Sequence, residues 1–200
     1  MEHDGLGQAE TNPDAAEAEE QALTGEFYDL GFSICRSRRY HERLAHFYAY
    51  WRDANRIATV VAGSGLFVLI SIGYGQFAAY VSAAFALWAM IDFLVTPDKK
   101  AERHEELRAA FIDLEIKFNG AAHTAVALRE LKEGRLLLEK REPPCKRLVD
   151  IKARNDECRA RGFPASSQAP LNWAQSCFGY LFTFGMGRLD KWKAEQSANG

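Results

Sequence analysis

The chain has 200 residues, 48% of them hydrophobic, and a formal net charge of −2. This length favours one domain or slightly more and excludes a large two-domain enzyme. A near-neutral balance argues against a nucleic-acid partner, because nucleic-acid binders are basic as a whole. The four cysteines form no CxxC pair. They indicate reduced thiols, and we expect neither a metal site nor a cofactor.

The first segment, residues 1–22, is acidic and almost free of large apolar side chains. Residues 1–26 hold eight acidic residues and no Lys or Arg. Such a composition buries too little surface to offset the entropy of ordering, so it predicts a disordered acidic tail over 1–22. A helix is predicted to begin near Thr24, and its apolar residues recur at helical spacing as far as Trp51.

The central feature is an apolar run, residues 57–91, that contains no Asp, Glu, Lys, Arg or His. Glycines at 73 and 75 divide it into predicted transmembrane helices over 57–72 and 77–95, of about 24 and 29 Å, against a hydrocarbon core of about 30 Å. The alternative is a buried hairpin of a soluble bundle.

The turn is predicted at four residues: Gly73, Tyr74, Gly75 and Gln76. Ser71-Ile72-Gly73-Tyr74-Gly75 matches a potassium-channel filter motif, but too few apolar residues precede it for an outer helix and a pore helix.

Small residues lie on one side of each predicted span. They are Ala62 and Gly65 in the first, and Ala79, Ser82, Ala83 and Ala86 in the second. Small faces let helices approach closely in lipid. They indicate either oligomerisation, with these residues packing between hairpins or lining a pore, or packing within one hairpin. Asp92, near the end of the second span, is read as an interfacial or paired acid.

Basic residues flank the run on both sides. Those before it are Arg36, Arg38, Arg39, His41, Arg43, Arg52 and Arg56, and those after it include Lys99, Lys100, Arg103 and Arg108. The positive-inside rule therefore predicts cytoplasmic termini. The preceding cluster is interpreted as membrane-proximal, in contact with anionic lipid, and a nucleotide pocket is the alternative. The histidines are scattered without partners at diagnostic spacing, so catalysis is not expected.

A long helix is predicted after Thr96-Pro97-Asp98, with glycines 120 and 134 as weak points. Its apolar stripe, from position 107 to 131, predicts a core or oligomer contact, and it begins with Leu107, Phe111, Leu114 and Phe118. Beyond Glu142-Pro143-Pro144 we expect a basic helix over 145–161. A second helix over 171–187 would pack its Trp173/Cys177/Tyr180/Phe184 stripe on the bundle or lie in the headgroup layer.

The order of these features resembles a known bacterial family. The run from Arg36 to Arg43, the short hairpin, and then Asp98, Ala101, His104, Leu107, Phe111 and Leu114 are similar to the pattern of SLATT proteins. The resemblance covers roughly residues 25–140. It implies a SLATT-like domain over 23–141 and leaves 142–200 as a helical extension, cytosolic or peripheral to the membrane.

The fold expected is therefore all-α: an integral membrane hairpin with flanking cytosolic helices that form a bundle. The resemblance implies a non-enzymatic, oligomeric effector of the bacterial inner membrane that forms a pore or perturbs the bilayer in an anti-phage or conflict system. Because no sensor or synthase domain is fused here, its trigger would come from another protein, such as a separately encoded nucleotide-second-messenger sensor or synthase, or from a small ligand. The alternative function is a membrane-anchored cytosolic scaffold without pore activity.

Overall fold

The computed structural model describes residues 13–198, and its regular elements are all helical, as predicted. The main helices are α1 (Pro13–Ser71), α2 (Gly75–Val95), α3 (Pro97–Gly120), α4 (Ala125–Glu139), α5 (Arg147–Ala160), α6 (Trp173–Phe178) and α7 (Met186–Ala198). A 3-10 turn at Ala165–Ser167 stands between α5 and α6.

The first helix is longer than predicted. It runs without a break through 59 residues, or about 90 Å, and it begins at Pro13 rather than near Thr24. Residues 15–22 are almost all Ala and Glu, which are strong helix formers, and Asp14 lies in the positive first turn. The predicted disorder over 1–22 therefore does not hold for 13–22, and residues 1–12 lie outside the described range.

The first half of α1 is the spine of a helical bundle. Beside it lie α3, α4 and α5, which contribute two buried clusters. One joins Phe27, Leu30 and Ile34 of α1 to Phe111, Leu114, Leu128 and Leu131. The other joins Tyr40, Leu44 and Tyr48 to Ala101, Val149 and Ala153. Phe111 is fully buried, so the stripe predicted on the third helix is a packing face.

The predicted long helix after residue 97 is two helices. It stops at Gly120, and Thr124 caps the next helix by accepting a hydrogen bond from the Ala127 backbone N–H at 3.3 Å. Both halves of the stripe still face the same part of α1, because Leu114 and Leu128 belong to one cluster. The turn folds α4 back onto the bundle.

The C-terminal prediction is confirmed in one part and wrong in another. The helix expected over 145–161 is present as α5, which gives way to Gly162 at φ +75°. The single helix expected over 171–187 does not form, because the chain leaves helical geometry after α6 and resumes at Met186. Gly185, at φ +64°, lies in this break. The Trp173/Cys177/Tyr180/Phe184 stripe is therefore not one face.

The end of α1 and all of α2 form the apolar hairpin. Gly73 and Tyr74 make the turn, with Gly73 at φ +87°, and the predicted turn residues Gly75 and Gln76 instead open α2. Both helices are long and apolar enough to span a membrane: their most apolar 18-residue stretches have a mean hydropathy of 1.5 and 1.8. Only 0% and 6% of the residues in these stretches are buried. A hairpin in a soluble core would be covered by other helices, and this one is not.

Candidate functional site

The hairpin has an inner face and an outer face. On α2, Ala78 is 3% exposed against α1, and Val81, Phe85 and Asp92 on the same side are partly buried. The predicted small residues of α2 are on the outer side and exposed: Ala79, Ser82, Ala83 and Ala86. At about 100° per residue, their mean direction is about 120° from that of the four inner residues. Their exposure leaves this side of α2 open.

The small residues of α1 are placed differently. Ala62 is partly buried on the side toward α2, whereas a Cβ at Gly65 would meet no atom within 4 Å. The two uses predicted for the small residues therefore apply to different helices. Ala62 packs within the hairpin, and the small residues of α2 do not. The hydroxyls of Ser64, Ser71 and Ser82 donate to carbonyls of their own helices at 2.8–2.9 Å, so the hydrogen-bond donors of these serines are already used.

Two tryptophans connect the two helices at the base of the hairpin. The indole N–H of Trp51 donates to Asp92 Oδ1 at 3.2 Å, and that of Trp88 donates to Asn55 Oδ1 at 2.6 Å. The two rings stack, with centroids 5.6 Å apart and planes 5° from parallel. Asp92 is therefore a paired acid, as predicted, and each hydrogen bond joins α1 to α2.

The arginines before the hairpin do not form one membrane-proximal cluster. Four of them pair with carboxylates of the bundle: Arg36 with Asp150, Arg38 with Glu115, Arg39 with Glu157, and Arg43 with Asp156. Since α1 rises about 1.5 Å per residue, these four lie about 20–30 Å below Arg56. Arg52 and Arg56 lie at the hairpin base, beside Asp53 and Asp98.

Sequence reasoning missed a buried histidine pair. His41 of α1 and His104 of α3 are 0% and 3% exposed, and their Nδ1 atoms are 3.0 Å apart. His41 Nε2 is 3.1 Å from Glu142 Oε1 in the segment between α4 and α5. Tyr48 stacks on His104 with ring centroids 5.8 Å apart. The cluster thus joins three separate parts of the chain.

The hydrogen bonds constrain the protons of this cluster. A carboxylate only accepts, so His41 Nε2–H donates to Glu142. When His41 is neutral, its Nδ1 must accept, and His104 Nδ1–H is the donor. Burial, and to a smaller extent the charges of His41 and Lys146, lower the pKa of His104 to about 4. His104 is therefore neutral near pH 7.

This cluster is closed rather than poised for catalysis. Its imidazoles are too deeply buried for a substrate to reach them. Burial also raises the pKa of the Cys35 and Cys145 thiols, the opposite of what an activated thiolate requires. Among residues 13–198, no group of three His, Cys, Asp or Glu side chains could hold a metal ion. The chemistry available at the pair is a proton held between helices.

Comparisons with family models, with curated proteins and with solved structures give no match for this chain. The SLATT resemblance therefore stays a prediction from the motif order.

Proposed function

We propose that the chain is a two-span protein of a bacterial inner membrane whose hairpins assemble into an oligomer that perturbs the bilayer. Spanning is supported by two apolar helices with almost no buried surface. A membrane supplies the apolar surroundings that the rest of the chain does not. The bundle would then lie in the cytoplasm, where Arg52, Arg56, Lys99 and Lys100 satisfy the positive-inside rule.

One observation carries the oligomeric part of the proposal. The small-residue face of α2 is turned away from α1, so packing within one hairpin does not explain it. Helices in lipid associate through such faces because backbones can approach closely. A second copy is the partner that this geometry fits.

The burial of the histidine pair and the raised pKa of the Cys35 and Cys145 thiols support a non-enzymatic role. The bonded serine hydroxyls favour disturbance of the bilayer over a pore lined by those serines. The trigger, by the resemblance, is a separately encoded nucleotide-second-messenger sensor or synthase acting on the cytosolic bundle.

A matched pair of variants tests the assembly. Ala83 lies on the small face about one turn from Ala79 and from Ala86, whereas Ala84 lies about 100° further around the helix, away from those residues. Ala83→Leu should dissociate the oligomer in mild detergent and abolish dye leakage on overexpression. Ala84→Leu makes the same chemical change and should preserve both. Equal behaviour of the two variants would reject this face as the contact.

Topology is tested separately. A Tyr74→Cys variant should react with an impermeant thiol reagent from outside intact spheroplasts, because the turn would be periplasmic. Protection of Tyr74→Cys, together with outside labelling of Cys35, would reverse the assignment.

The second candidate function is a membrane-anchored scaffold. It is favoured by apolar side chains that α4 leaves exposed: Val126 at 69%, Leu136 at 64% and Leu137 at 59%. Such a surface suits a cytosolic partner. The two functions differ in leakage, which the effector causes on overexpression and the scaffold does not.

A further inference from the structure

The segment between α6 and α7 is attached to the base of the apolar hairpin. The ring of Tyr180 stacks on that of Phe47, with centroids 4.7 Å apart and planes 13° from parallel. Phe47 also contacts the ring of Trp51, the residue that binds Asp92. Tyr180 and Val95, the last residue of α2, pack against the same buried cluster. The loop is therefore next to the point where the hairpin leaves the bundle.

The apolar side chains around Tyr180 point outward. The exposed fractions are 48% for Phe178, 37% for Leu181, 66% for Phe182 and 36% for Phe184. Four large apolar residues exposed within seven positions are unusual for a surface that faces only water.

The backbone of this loop is held from the inside. The Lys146 ammonium donates to the Tyr180 carbonyl at 2.7 Å, and the Lys152 ammonium donates to the Ser176 carbonyl at 2.8 Å. The amide of Gln175, a buried residue, donates to the Gly185 carbonyl at 3.0 Å. Within 178–184, the Phe178 carbonyl also accepts from the backbone N–H groups of Leu181 and Phe182 at 3.0 Å, and the Phe184 carbonyl accepts from the Gln175 amide at 3.3 Å. These bonded carbonyls do not need water, which lowers the cost of placing the segment in a less polar layer.

The exposed apolar surface of α2 reaches the level of this loop. Phe93 and Leu94 are 79% and 71% exposed, and Asp92 lies opposite Trp51. Phe47 is about one helical turn, or roughly 6 Å, below Trp51. The headgroup layer on each side of a bilayer is about 5–7 Å thick. Because Val95, at the end of the predicted second span, packs against the same cluster as Tyr180, the loop is within reach of that layer.

We propose that the loop Phe178–Phe184 is a third membrane contact, which inserts its apolar side chains into the cytoplasmic headgroup layer beside the hairpin. The partner is a phospholipid surface, because this surface continues the exposed apolar surface of the hairpin. Aromatic rings are favoured at that depth. The inference rests on the proposed spanning of the membrane.

Photo-crosslinking in the full-length protein tests this contact. A benzophenone amino acid replaces Phe182, Leu94 or Val126 in turn, and the protein is reconstituted in vesicles of phosphatidylethanolamine and phosphatidylglycerol. Val126 is the matched control: it is 69% exposed and apolar, but it lies near Phe27, about 30 Å along α1 from Phe47. After irradiation, mass spectrometry identifies each adduct.

We expect phospholipid adducts at positions 182 and 94 and none at position 126. Lipid adducts at 94 without any at 182 would overturn the inference and leave the spanning hairpin intact. An adduct at 182 to a second copy of the chain would assign the loop to a protein contact instead. Absence of lipid adducts at both 94 and 182 would reject the proposed spanning and the inference with it.

Discussion

Acid should destabilise the bundle through His104. In the unfolded chain this imidazole titrates at its ordinary pKa of 6.5, whereas in the fold its pKa is about 4. Between these values the unfolded state binds the proton and the folded state does not, so stability falls as the pH falls. For this shift, the free energy of unfolding should fall by about 2 kcal/mol between pH 7 and pH 5, and by roughly 3 kcal/mol in all below pH 4.

The measurement is urea unfolding of the detergent-solubilised protein at several pH values, followed by far-UV circular dichroism. Apolar spans stay helical in detergent, so the signal that is lost reports the bundle. A loss of about 2 kcal/mol should move the urea midpoint by about 1 M. The variant His104→Asn keeps a hydrogen-bonding group near His41 but cannot titrate, and its profile should be flatter by that amount.

Two controls isolate the effect. His46→Asn makes the same change at an exposed imidazole and should retain the profile of the unmodified protein. Asp150 acts in the opposite sense, because burial raises the pKa of its carboxyl, but it is present in every variant and cancels in the comparison. Parallel profiles for His104→Asn and the unmodified protein would refute the reasoning.

Three further substitutions test particular contacts. Phe111→Asp should unfold the bundle, because it forfeits about 1.5–3 kcal/mol of apolar burial and buries a charge, whereas Glu106→Asp on the exposed side should change the urea midpoint little. Gly179→Ala should cost about 1–3 kcal/mol in the same assay, because its Cβ would lie 2.4 Å from the Gln175 carbonyl oxygen and 2.9 Å from Leu148 Cβ; Gly187→Ala, with no atom within 4 Å, is the control. Trp88→Phe should lose its hydrogen bond to Asn55, about 0.5–1.5 kcal/mol. It should also raise thiol labelling of an Ala58→Cys reporter, a partly buried position one turn from Asn55 on α1, relative to the same reporter with Trp88; unchanged labelling would contradict a role for this bond in holding the two helices together.

The sequence predicted what depends on local composition. An uncharged run with two glycines near its middle predicted two apolar helices and their turn, and the Pro143-Pro144 stop and Gly162 correctly bounded α5. The sequence did not reveal a glycine that is needed for close packing. Gly179 fits against Leu148 and Gln175, and this requirement arises only when α5 and α6 are in contact.

Contacts between side chains that are far apart in the sequence also could not be predicted. His41 and His104 are separated by 63 positions, and His41 and Glu142 by 101, so no spacing rule joins them. Arg39 looks like a lipid anchor in the sequence, because a cation beside an apolar run has the same appearance whether it meets a phosphate or Glu157. The distance of Arg39 from the hairpin became clear only with the continuous length of α1.

The connections between bundle and hairpin favour an effector over a passive anchor. α1 crosses from one to the other without a break, and α3 begins after a single intervening residue, Thr96. A tether needs only length, and flexible linkers usually supply it. Here the bundle fixes the direction of both apolar helices, so a partner that moves α3 against α1 would also move the hairpin.

A flexible insertion separates these two roles. Several Gly and Ser residues placed after Thr96 would free α3 from α2, while α1 would still hold the bundle at the membrane. If the hairpin is driven by the bundle, leakage on overexpression should be lost although the protein stays in the membrane fraction and keeps its oligomeric state in detergent. The same insertion after Gly162, in a loop far from the hairpin, is the control. Leakage that survives the insertion after Thr96 would mean that the apolar hairpin acts without direction from the bundle.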